Sequence, residues 1–83
     1  MPRYFFDIDD GERRSLDEDG LEFAGPWEAR ANAIAVLPDI AREVMPDGDR
    51  RDLVSSIRNE GGDVLFTAKL SLVAEWLVPE PAK

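Results

Sequence analysis

The acids of Asp7-Ile8-Asp9-Asp10-Gly11-Glu12, with Glu18 further on, are the first residues in the chain whose types and spacing could do chemistry. With Asp7 at the opening position of a calcium-binding loop of the EF-hand kind, Asp9 falls at the third position and Glu18 at the last. The sixth position, where such a loop turns sharply on glycine, is Glu12, and the flanks alternate like strands rather than helices. The spacing therefore favours acids on turns and outward strand positions, where they also guard a sheet edge against mispairing. Paired carboxylates acting as general acid and base need to face each other across a cleft, with one pKa raised by burial. Every acid here is expected at a turn or on the polar side of a helix, so no catalytic pair is expected.

The remaining chemistry is thin. Arg13, Arg14, Arg50 and Arg51 form two adjacent pairs that would make an anion site if they converged, but acids flank both, and surface ion pairing is the simpler expectation. Gly61-Gly62 lacks the Lys and the following helix that phosphate cradling uses, and reads as a turn. Trp27 is expected to pack at a helix start against the sheet and Trp76 to close the sheet's end, in preference to standing exposed as binding hot spots. The chain has no Cys and no His, which removes disulfides, thiolate chemistry, the commonest metal ligand and the usual general base. No enzyme, cofactor or metal is expected on these grounds.

These residues must be held by a small frame. The 83 residues fit one domain, and an apolar share of 43 % is enough for a core despite a net charge of −8. A core of this size leaves a modest stability margin, which association would widen. Tyr4, Phe6 and Ile8 alternate with Arg3, Phe5 and Asp7 as a strand whose first set faces the core. Asp9-Asp10-Gly11 then turns the chain back antiparallel over residues 12–16. Leu21-Glu22-Phe23 reads as a third, brief strand or extended loop. A helix is expected from Pro26 to Met45, with Ala29, Ala33, Ile34, Leu37, Ile40, Ala41 and Val44 on its apolar side and Arg30 snorkelling outward from within that arc. Pro38 removes the hydrogen bond to the Ile34 carbonyl and is expected to kink or split the helix. Pro46-Asp47-Gly48-Asp49 ends it. Leu53, Ser55 and Ile57 then alternate with Val54, Ser56 and Arg58, and after the turn at Glu60-Gly61-Gly62 the longest alternating run holds Val64 to Leu72, continuing through Trp76 and Leu77.

The expected fold is α+β: an antiparallel sheet of two hairpins with one helix packed across one face, in the order ββ(β)αββ, over residues 1–78, with 79–83 a flexible tail. Parity leaves Phe5, Val54 and Leu65 off the helix side, and with Trp76 they are the candidate partner interface. A second copy (a homodimer) or a protein with a basic surface is the expected partner. A pI near 4.3 disfavours nucleic acid. No apolar stretch approaches the ~18 residues of a membrane span, so no membrane contact and a cytoplasmic address are expected.

The opening MPRYFFD, the Glu28-Ala29-Arg30-Ala31 pattern and the middle Met45-Pro46-Asp47-Gly48-Asp49-Arg50-Arg51 resemble a family of short bacterial domains of unknown function, marked by an MPRYFFD start and an LPDGDRR-like middle. The resemblance covers residues 1 to 77 and implies no reaction and no catalytic residues. Pro38 departs from it by interrupting a helix the family leaves unbroken. The order of strand, Asp-Gly turn, strand and a helix opening Glu28-Ala29…Asn32-Ala33 also resembles antitoxins of the HicB type, which implies an alternative role of neutralising a basic partner.

Overall fold

The computed structural model describes residues 1–45 and 48–83; Pro46 and Asp47, at which the helix stop is expected to begin, lie outside the described residues. Strand β1 (Arg3–Asp9) is followed by two short strands, β2 (Arg14–Ser15) and β3 (Leu21–Glu22), then by helix α1 (Pro26–Val44) and the long hairpin of β4 (Arg50–Arg58) and β5 (Val64–Val73). The sheet is antiparallel in the order β2-β1-β4-β5, with β3 also paired to β1. This is the expected α+β fold with the helix after the first strands.

The two short strands share one edge of β1. Ile8 and Asp9 pair with Ser15 and Arg14, while Arg3 and Tyr4 pair with Glu22 and Leu21. Between these pairings the loop of residues 16–20 carries more residues than the stretch of β1 it faces, and so arches outward as a wide bulge. Gly20 brings the chain back at φ +71°, close enough that an added Cβ would stand 2.9 Å from the Tyr4 carbonyl oxygen.

The helix buries a line of residues at i, i+4 and i+8: Ala29, Ala33 and Leu37. The alanines let the helix approach β4 and β5 closely, and the sheet beneath presents Leu53, the small Ser55 and Ile57, all buried. Tyr4, Ala29, Ala33 and Ile57 form the core, joined by half-buried Phe6, Phe23 and Phe66. Phe23 closes one side, its ring edge-on to Phe6 at 5.7 Å and tilted to Tyr4 at 6.3 Å. The apolar helix face is narrower than the sequence pattern implies. Ile34 is exposed, and Ile40, Ala41 and Val44 do not join Ala29, Ala33 and Leu37 in the buried line, because the four-stranded path is narrow and the helix meets it along one line.

Pro38 does not split the helix, which runs unbroken to Val44. Both Pro38 and Ile34 lie on the exposed side, so water can hydrogen-bond the carbonyl that the missing N–H leaves free. Parity fails at the start of β5. Ile57 pairs with Phe66 and Arg58 with Val64, so Leu65 is the extra residue of a bulge. Leu65 therefore turns from the open face, where alternation places it, toward the helix side.

Gly20 and Gly62 separate two costs. Gly62 has φ +89° with open space where a Cβ would stand, whereas Gly20 combines positive φ with backbone contact. G62A should cost about 1–2 kcal/mol from left-handed strain alone, and G20A more than that, read as a larger fall in the urea midpoint. Equal shifts would show that the 16–20 loop yields freely.

Candidate interaction surfaces

Asp7 is the one buried acid among the described residues, 3 % exposed in the middle of β1. Its position follows from register. Phe5 pairs with Arg58 and Asp7 with Ser56, which makes Asp7 and Arg58 diagonal neighbours on the face away from the helix. The Arg58 Nε donates to Asp7 Oδ2 at 2.6 Å and Nη2 to Oδ1 at 3.1 Å, a bidentate pair. Arg58 Nη2 also donates to the Asp17 carbonyl at 2.9 Å, and the Asp17 N–H donates to Asp7 Oδ1 at 3.0 Å. The guanidinium lies 5.2 Å from the centre of the Phe5 ring.

Asp17 then serves the strand edge. Its carboxylate accepts from the Phe6 N–H at 3.1 Å, which fills the gap in the β1 ladder opposite the bulge, and from the Asp19 and Gly20 N–H groups, each at 3.1 Å. The Arg58 hydrogen bond holds the Asp7 carboxyl below its ordinary value, against the opposing effect of burial. Burial pushes Asp17 upward, but its backbone donors outweigh it and the carboxyl is also lowered. Arg58 is raised by Asp7. These are saturated, charged groups that fix a loop.

The expected turn acids are occupied in the same way. Asp9 accepts from the Gly11 N–H and Asp10 from the N–H groups of Glu12 and Arg13, as side-chain turns. Among the described residues no three acids gather as a metal would require. Asp7 corrects the expectation that every acid lies at a turn or on a helix face. The signal for it lies in a lone acid between Phe6 and Ile8, but reading it as buried requires knowing that β4 lies alongside. Of the arginine pairs, Arg51 bonds Glu12 at 3.2 Å, tying the start of β4 to the first turn; Arg50 and Arg51 line one depression with Glu12, and Arg14 lines another with Asp7 and Asp9.

Two further surfaces carry apolar area. A groove of about 340 Å³ opens on the helix side between the start of α1 and the start of β5, lined by Tyr4, Pro26, Trp27, Arg30, Ile57, Leu65 and Phe66. Arg30 does point outward, its guanidinium 5.6 Å from both the Trp27 and the Phe66 ring centres, and it makes no ion pair among the described residues. Trp27 is 74 % exposed and Trp76 65 % exposed. The expectation that both pack inside is corrected: Trp27 walls the groove, and Trp76 lies beyond the end of β5 on a segment that leaves the sheet. The candidate interface therefore divides. Phe5 and Val54 are half-buried on the open face, Leu65 borders the groove, and Trp76 is on the arm.

The second surface is the outer edge of β5. Its ten residues, VLFTAKLSLV, form the unpaired end of the sheet and expose Val64, Leu65, Leu70 and Val73. No helix among the described residues is long and apolar enough to cross a membrane.

A model of Domain of unknown function (DUF6894) matches residues 3–71 of the chain. Neither a curated protein nor a solved structure matches it.

Breaking the Asp7–Arg58 pair leaves a charge without its partner, so D7N or R58M should each cost about 3 kcal/mol, the lower end for buried pairs because Arg58 is partly exposed. Since the folded Asp7 titrates below its unfolded value of 3.8, its contribution is complete above that pH and is lost as pH falls through the lower folded value. Thermal unfolding followed from pH 7 down to pH ~2 should show a steep acid limb below pH ~4 in the native chain and a shallower one in D7N.

Proposed function

The chain belongs to the DUF6894 family, whose function is unknown, and we propose that it is a non-catalytic protein-interaction module that associates with itself through the edge of β5. The observation that carries this reading is the chemistry of that strand. In a chain of net charge −8, β5 is the one long element without an acid, with Lys69 its single charge. An edge this long and apolar is what isolated monomers avoid by shortening, charging or covering it. It offers a row of free N–H and C=O groups to another strand at the place where two acidic copies repel least.

The geometry limits the register. A twofold axis that relates two antiparallel strands stands perpendicular to the sheet, so both helices fall on one face and each residue meets one of the same parity. Centring on Lys69 opposes two ammonium groups. Centring on Ala68 sets Phe66 against the partner's Leu70 on the helix side and Thr67 against the partner's Lys69 on the other. The second register is the favoured one.

A second reading, the antitoxin-like neutralisation of a basic partner, draws on the net charge and on the exposed acids of the first two turns. It predicts tight, salt-sensitive binding to a basic protein and no dependence on β5.

Sedimentation over a range of concentrations tests the leading reading: the full chain should pass from monomer to dimer, and T67K, which sets two ammonium groups against each other on each side of the axis, should raise the dissociation constant roughly tenfold. A chain that stays monomeric at high concentration, or dimerises equally well as T67K, removes the β5 edge paired about Ala68 as the contact.

A further inference from the structure

The groove and the C-terminal segment are each unexplained in a single copy. After Val73 the chain is tied to the body, among the described residues, by one hydrogen bond, Ala74 N–H to the Asp49 carbonyl at 2.8 Å, and then leaves the sheet. Trp76, Leu77 and Val78 are 65 %, 89 % and 61 % exposed, three consecutive large apolar side chains in water. The molecule is correspondingly long, 56 × 21 × 19 Å, with a radius of gyration of 15.8 Å where a compact chain of this length has about 12 Å. Such a segment gains nothing from folding alone. The groove has the complementary character, with aromatic and aliphatic walls and one guanidinium, Arg30, that has rings beneath it and no carboxylate among the described residues.

We infer that the groove of each copy receives the Trp76-Leu77-Val78 arm of a second copy. This rests on the self-association proposed above, and three features of the chain meet in it. The first is path: antiparallel pairing of β5 about Ala68 runs the partner strand from Leu70, opposite Phe66, toward the Leu65 bulge, so the partner's arm emerges beside the start of β5, where the groove lies. The chain leaves strand geometry directly after Val73 and bends again at residues 77–79, which allows the arm to fold back over that end. The second is charge: Glu75 and Glu80 flank the apolar triplet, and Arg30 stands at the groove rim without an ionic partner among the described residues. The third is fit: the groove of about 340 Å³ admits a large aromatic side chain with an aliphatic neighbour, and Arg30 would then lie against a third ring as well as Trp27 and Phe66. The exchange is reciprocal, each copy giving one arm and receiving one.

The absence of native cysteines makes the test direct. Full-length L65C and L77C chains are mixed, allowed to exchange and mildly oxidised. In parallel, A68C alone reports on β5 pairing, since the two introduced thiols would face each other across the axis. A disulfide-linked L65C–L77C heterodimer in roughly tenfold or greater excess over the products of either variant alone is expected, because pairing raises the local thiol concentration to about the millimolar range. A68C crosslinking without the heterodimer overturns the arm exchange and leaves edge pairing standing. Failure of both overturns the self-association itself. A heterodimer without A68C crosslinking overturns the strand path, as does L77C linking to itself as readily as to L65C.

Discussion

The bidentate bond between Asp7 and Arg58 is the constraint on which the rest of the sheet depends. It joins the first strand to the fourth, and through the Asp17 amide and carbonyl it also fixes the loop that arches over the first strand. The loop needs such a fixture because it has no apolar side chain buried beneath it; its Leu16 is exposed. With the loop in place, the Asp17 carboxylate supplies the acceptor that the bulge denies to the Phe6 amide, and that N–H is not left dry. The exposed ion pairs contribute little by comparison. Arg42–Asp39 and Lys69–Asp52 are open to water on both sides, where such pairs are worth about 0–1 kcal/mol.

The periodic parts of the architecture are legible in the residues. Alternation locates the first strand and the long hairpin, and proline with a glutamate in the first turn locates the helix start. Three placements are not legible, for separate physical reasons. Asp7 obeys parity, but parity says only which face a side chain takes; whether that face is wet depends on which strand lies beside it. Leu65 breaks parity because one extra residue in the hairpin reverses the alternation locally, and the sequence carries no mark of it. Hydropathy assigns Trp27 and Trp76 to the interior, yet it cannot distinguish a core from an exposed apolar surface. The helix through Pro38 is a gentler case: the lost bond matters less because it lies on the watered side.

The charge distribution has a similar logic. Acids of the first turns are occupied by nearby backbone amides, and Asp10 is lowered by the N–H groups of Glu12 and Arg13. They act as local turn formers that also carry charge. Apart from Leu16 and Leu21 at the first edge, apolar exposure gathers around the groove, the last strand and the arm beyond it, and the family match ends at residue 71, before the arm begins. The sheet is thus divided into a charged end and an apolar end.

That division has a consequence for assembly size. At the charged end the outermost row is broken into two-residue pieces by the arched loop, so no continuous ladder is on offer to an incoming chain. The subunit is monovalent as a sheet: it has one edge able to grow and one already terminated. A sheet with one continuous free edge could add one copy through it and no more, so pairing of that edge, as proposed, would close at two where a two-edged sheet would go on growing.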